Sequence, residues 1–335
     1  MKPIERIEAL LAGKKLDTPL INLWKHFPPY DENPKDLIRK TTQFQERFNW
    51  DFVKVTYQGL WSAQDYGTKV KWPQRDCEWP NTCSNVGVVI EPAVKKIEDW
   101  KNLKPLSVKE GAMADSIAAA KGIVERFKGE APVVITMFNP LTTANKMCGN
   151  KIITHLRRDP DTVKKGLDSI SDSTQKFVEE LVKVGADGVF MATQLGTYDM
   201  MSEAEYEVFG KPYDLRILEY ANEKMWFNII HMHGDVPMFE MLCKYPAQAI
   251  NWHDRLVDYY NLKKGSEICK DKILIGGVDE FGALRDGSDE ELKAQMKDAI
   301  DQVQGERLIL GPGCCVPLDV SEDRLELAKK LLQSI

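Results

Sequence analysis

Two histidines separated by a single residue, His231-Met232-His233-Gly234, close one apolar stretch, and Gly311-Pro312-Gly313-Cys314-Cys315 closes another far downstream. Side chains alternate across a strand, so on an extended segment His231 and His233 share one face while Met232 takes the other. Imidazole and thiolate are the usual ligands of tetrahedral zinc, at about 2.0–2.3 Å, and a catalytic site keeps one position open. His231, His233 and Cys314 would supply three ligands and leave room for a thiol or water. The competing reading of each motif alone is a hydrogen-bonded strand end with no metal.

Other polar residues fall at the ends of apolar runs: Lys25 and His26, Gln58, Asn139, Gln194, His253 and Asp254, Asp279 and Glu280. Imidazole titrates near neutrality, which suits His253 to acid/base work or to holding a substrate. Asp279 is expected to orient a histidine or touch substrate, with helix capping by Asp279 or Glu280 as the competing reading, at least as strong for Glu280. His253, Asp279 and Gln58 are the expected catalytic or orienting residues. His26, Asn139, Gln194 and Trp61 are expected to contact substrate. His155, on a predicted helix, is the one histidine of the five that falls elsewhere.

The elements that must bring these residues together are short β-rich runs alternating with longer helical segments, the pattern of βα units around a parallel sheet. Candidate strands are Pro19–Trp24, Phe52–Tyr57, Pro132–Phe138, Gly188–Thr193, Phe227–His233, Ala249–Asp254, Ile273–Asp279 and Leu308–Cys314. Eight such units make a (β/α)8 barrel, an α/β fold in which catalytic groups gather at the C-terminal strand ends. Pro160, Ser288 and Ser321 open predicted helices, Gly185 stops one, and Ile4–Leu11 reads as a helix capping the barrel from below. Gln58 to Pro92 is longer than barrel connections usually are and holds Trp61, Trp72, Trp79, Cys77 and Cys83. It is expected to form a lid, a subunit contact or a small hairpin on the rim.

Composition bounds the possibilities. The 335 residues, with 43% hydrophobic content, suffice for one barrel domain spanning 1–335. A net charge of −6 gives no positive field for nucleic acid. No apolar run approaches the roughly 20 residues that cross a bilayer, so a cytoplasmic protein is expected. Seven dispersed cysteines suit free thiols better than a disulfide framework. Dinucleotide, Walker, serine-elbow and His-Glu-x-x-His motifs are missing, which disfavours nucleotide-driven and serine-hydrolase chemistry.

With these segments in view the chain resembles the uroporphyrinogen decarboxylase superfamily, which includes zinc-dependent methyltransferases acting with corrinoid proteins. The resemblance runs through Ile4-Glu5-Arg6-Ile7-Glu8-Ala9-Leu10, Asp17-Thr18-Pro19, Phe52-Val53-Lys54-Val55, Gly185-Ala186-Asp187-Gly188, His231-Met232-His233-Gly234, Gly276-Gly277-Val278-Asp279 and Gly311-Pro312-Gly313-Cys314. It implies a (β/α)8 barrel and, since homodimers occur in the superfamily, a dimeric assembly.

True decarboxylases resemble one another in an Arg-Gln-Ala-Gly-Arg segment where this chain has Trp24-Lys25-His26-Phe27-Pro28. Gln58 stands where they carry an essential aspartate, and Pro312 where they carry a late histidine. The methyltransferase branch binds zinc through a His-x-Cys pair and a Pro-Gly-Cys cysteine. By resemblance His231 and Cys314 are ligands, with His233 replacing the first cysteine. No corrinoid-binding Asp-x-His-x-x-Gly segment is present, so the corrinoid would arrive on a partner protein. The expectation is a zinc-dependent methyltransferase moving a methyl group between a corrinoid protein and a small acceptor, by resemblance a thiol. The alternatives are a decarboxylase of uroporphyrinogen or a related acid, and a non-catalytic ligand-binding barrel.

Overall fold

The structure is a computed structural model that describes residues 1–72, 87–257 and 259–335. Its strands in chain order are β1 (Leu20–Ile21), β2 (Val53–Val55), β3 (Lys69–Lys71), β4 (Val88–Glu91), β5 (Val133–Phe138), β6 (Gly188–Thr193), β7 (Ile229–Met232), β8 (Ala249–Trp252), β9 (Ile273–Val278) and β10 (Leu308–Pro312). All except β3 and β4 join one parallel sheet in the order β1-β10-β9-β8-β7-β6-β5-β2, curled as a TIM-type barrel with helices outside. These are the eight strands read from the sequence, shortened where the chain turns into loops.

The seam between β1 and β2 is bridged chiefly by side chains. Asp51 Oδ2 accepts from the Ile21 amide at 2.7 Å, and Asn22 Oδ1 accepts from the Phe52 amide at 3.0 Å. Each of these polar groups satisfies a main-chain donor at the barrel's closing edge, where a bare apolar pair would leave it buried and unpaired.

Alternation sorts the strand residues into two cores. Outward-facing Val53, Val55, Val133, Ile135, Val189, Met191, Ile230, Met232, Ile250, Trp252 and Leu274 pack in the cluster that includes the helices. Inward-facing Phe52, Phe190, Phe227, Ile229, Ala249, Ile273, Ile275 and Ile309 fill the barrel, closed below by Ile7 and Leu10 of the N-terminal helix Pro3–Leu11. The interior therefore begins as a dry plug and turns polar toward the C-terminal strand ends, where Lys54, His231 and Asn251 take the next inward positions.

Helix boundaries follow local chemistry. Asp159 Oδ1 caps helix Pro160–Val184, which stops on Gly185 at φ 84°. Ser288 and Glu291 form a reciprocal capping box, and Ser321 caps the last helix. His155 lies in helix Ile152–Arg158 and accepts from Trp100 Nε1 at 3.0 Å, which ties two outer elements together.

The long connection after β2 holds a short helix, Trp61–Gln64, and the antiparallel pair β3/β4, so the hairpin expectation describes its observed part. Trp79, Cys77 and Cys83 lie outside the described residues. Among the described residues, no helix is long and apolar enough to cross a membrane.

Candidate metal centre

Ligand atoms of His231, His233, His253 and Cys314 lie within 4.8 Å of one another at the C-terminal mouth of the barrel. The strands explain the meeting. His231 is the inward residue of β7 beside Asn251 of β8 in register, His233 follows on the same face, His253 directly follows β8, and Cys314 follows β10. A Cβ on Gly313 would stand 2.8 Å from the Cα and Nδ1 of His253, so glycine there lets the β10 end lie against that ring.

Each ligand is held from behind. His231 Nδ1 is 2.7 Å from Asn251 Oδ1, while Asn251 Nδ2 donates to the carbonyls of Ile275 and Pro312, both at 2.9 Å. The His231 ring also stacks on Phe190, 5.5 Å between centroids. Glu280, buried, accepts from the Gly313 and Cys314 amides at 3.0 and 2.8 Å, and its Oε1 is 3.5 Å from His253 Nδ1. One carboxylate thus fixes the main chain that carries the thiol and backs a neighbouring ring.

The electrostatics suit a cation. Burial, helped by His233 and His253, holds His231 well below the usual imidazole range. Burial also lowers His233 and brings His253 down to about 4. Neutral rings keep the lone pair that a metal needs. Nδ1 of His233 is buried without a hydrogen-bond partner, an uncommon state for buried nitrogen and one that metal coordination relieves. The donor set and this orphaned nitrogen fit zinc.

A pH dependence follows for the metal-free protein. With a folded-state value near 4 and an unfolded value near 6.5, His253 binds fewer protons folded than unfolded between those limits. Its contribution is therefore present above about pH 6.5 and is lost as pH falls toward 4. The urea midpoint of chelator-treated protein should drop over that window, and less steeply in His253→Gln. An identical slope in the variant contradicts this assignment.

The remaining sequence expectations divide. His26 and Gln194 line the same cavity as His231 and Cys314, with Trp24, Lys54, Thr56, Thr136, Phe138, Lys146 and Phe190. Burial opposes a charge on His26, but Cys315 and the Asp31 carboxylate at 3.0 Å outweigh it and lift His26 to about 9. His253 joins the ligand cluster, where the sequence suggested acid/base work.

Four residues named from the sequence stand outside the cavity lining, and for Asp279 the capping reading describes its contacts. Gln58 is spent on its own turn, accepting from the Leu60 amide and donating to Gln64. Trp61 packs on Phe177, 4.7 Å between ring centroids, in the outer core. Asn139 is fully buried, capping helix Pro140–Met147 and donating to Asp214 and Tyr206. Asp279 caps a turn through the amides of Phe281 and Gly282.

Sequence reasoning missed Lys54, Lys146 and Asn251, and it undervalued Glu280. The available signal was polarity at inward strand positions, most plainly the lysine within Phe52-Val53-Lys54-Val55.

A barrel with a His/Cys cluster at its mouth defines the class, and comparison supplies the lineage. Residues 20–333 match the family described as uroporphyrinogen decarboxylase (URO-D), and the chain belongs to it. It is related to methylcobamide:CoM methyltransferase MtbA of Methanosarcina acetivorans, with 25% identity over 227 residues. That match covers 68% of this chain and 65% of the relative, just under two thirds of the relative's length.

Among solved structures, a methyltransferase from Methanosarcina mazei superposes with TM-score 0.85 at 18% identity, covering 100% of this chain and 99% of the other. A B12-independent methionine synthase from Shewanella sp. W3-18-1 follows at TM-score 0.55 and 14% identity, covering 95% and 92%. Both likenesses concern the fold.

Proposed function

We propose that this chain is a zinc-dependent methyltransferase that moves a methyl group from a corrinoid protein to a small thiol. The observation that carries the proposal is the cluster of His231, His233, His253 and Cys314, of which His231 and Cys314 line a cavity of about 240 Å³. The kinship with methylcobamide:CoM methyltransferases supports the choice of reaction.

In this reading His231, His233 and Cys314 would hold the metal, with His253 beside them and the substrate thiol entering from the cavity. Zinc, when bound, lowers the pKa of a thiol and keeps it as thiolate at neutral pH. Asn251 and Glu280 fix the ligands, and Phe190 and Trp24 keep the cavity walls dry. The sulfur's electron pair forms the new S–C bond as the methyl leaves cobalt. The C–Co pair stays with cobalt, which passes from Co(III) to Co(I).

The test is anaerobic incubation of zinc-loaded protein with methylcob(III)alamin and a panel of thiols that includes coenzyme M. Loss of the methylcobalamin spectrum that requires both zinc and thiol is expected. Zinc-replete protein that demethylates neither free nor protein-bound methylcorrinoid with any thiol, or that instead decarboxylates uroporphyrinogen, overturns the proposal.

A further inference from the structure

Lys54 is an unusual residue for the inside of a barrel. It lies on β2 between inward Phe52 and Thr56, its ammonium 3.0 Å from Thr56 Oγ1, 4.3 Å from the centroid of Phe190 and 5.5 Å from that of Trp24. Lys146 reaches the same cavity from the last turn of helix Pro140–Met147, its ammonium 4.1 Å from the Phe138 centroid. Among the described residues no carboxylate stands within ion-pair distance of either lysine. Lys54 feels the sulfurs of Cys314 and Cys315, and Lys146 is perturbed by burial alone.

Aromatic faces compensate a shielded ammonium only in part. Removing cations from water without a counter-charge is costly, and two in one low-dielectric cavity focus a positive potential there. Lys54 and Lys146 are half-buried, and proteins normally neutralise a lysine drawn this far inside with a nearby acid. Here both cations border the cavity that reaches His231 and Cys314. Burial accordingly lowers both lysines, Lys146 to about 8.

We infer that Lys54 and Lys146 form a subsite for the anionic group of a small organic acid, carboxylate or sulfonate, whose other end lies at the His231/Cys314 wall. The inference rests on the functional reading above for what the acid does, but not for whether it binds. Thr56 and Thr136, whose hydroxyls are 3.3 Å apart, add donors beside Lys54. The subsite would select acceptors by charge, whereas the metal would select them by sulfur.

The experiment uses metal-stripped full-length protein, so that it does not depend on the metal. Propionate and ethanesulfonate are titrated calorimetrically against wild type, Lys54→Met, Lys146→Met and the double variant, with 1-propanol as the neutral control. Expected are binding of the acids and not of the alcohol, a loss of about 10- to 100-fold in each single variant and a greater loss in the double. Zinc content after reloading should stay at the wild-type level in both single variants.

Acid binding that is unchanged in the double variant overturns the subsite. So does loss of zinc in Lys54→Met, which would make that lysine a partner of the cysteine sulfurs. Persistent acid binding by a protein that takes up no zinc would sink the functional reading while leaving the subsite intact.

Discussion

Zinc content should fall from about one per chain to background in His231→Ala, and zinc affinity should fall about 10- to 100-fold in Asn251→Ala, which leaves every ligand in place. The first effect removes the best-anchored donor of the cluster. The second tests how that donor is aimed. Asn251 Nδ2 is committed to two carbonyls, Ile275 and Pro312, so its Oδ1 must be the atom facing His231 Nδ1. That contact then requires Nδ1 to carry the proton, which leaves Nε2 with the lone pair.

In Asn251→Ala the ring loses its tautomer lock and two buried carbonyls lose their donor. A modest loss of stability should accompany the loss of affinity. Elemental analysis and competition with a chromophoric chelator measure the metal, and circular dichroism checks the fold. His231→Ala protein that still carries one tightly held zinc would place the metal elsewhere.

The barrel was legible because its parallel strands are buried on both faces. Each therefore reads as a compact apolar run, and eight such runs between helical segments admit few architectures. The His-x-His spacing was legible for a similar reason, since period-two alternation puts both rings on one face of the strand. His253 was harder. It sits at a strand end beside Asp254, and only the close approach of Gly313 shows that its ring belongs with His231 and Cys314. Cys314 was legible as the thiol that closes the last apolar run, but nothing local in the sequence says that Glu280 grips its amide from the preceding βα unit.

The misplacements share a cause. Gln58, Asn139, Asp279 and Trp61 lie at strand ends or in the loops after them, as catalytic residues do, but such positions also begin turns and helices whose free amides need acceptors. Gln58, Asn139 and Asp279 satisfy those amides, and Trp61 fills the outer core. Sequence position cannot separate a side chain aimed at the cavity from one folded back on its own turn. Lys54 failed in the opposite way, because a lysine in an apolar run reads as an outward residue until the barrel's closure turns it inward.

Asn139→Ala should destabilise the protein by about 2–4 kcal/mol, combining a lost helix cap of roughly 1 kcal/mol with a buried carboxylate deprived of a donor. Asn139 Oδ1 accepts from Thr142 N at 3.0 Å, and its Nδ2 donates to Asp214 Oδ1 at 2.8 Å. Asp214 is fully buried, and burial raises its carboxyl to about 6 although Tyr206, Asn139 and Tyr245 all donate to it. Removing Asn139 leaves Oδ1 without that donor in a site that water does not reach. The same change loosens the helix that carries Lys146, so stability and acid binding should fall together, whereas Lys146→Met lowers only the second. Urea unfolding with an unchanged m-value and a lower midpoint is the expected record. If Asn139→Ala keeps the wild-type midpoint and instead weakens binding of a neutral ligand, Asn139 belongs to the substrate site after all, and the buried network is not what holds this corner of the barrel.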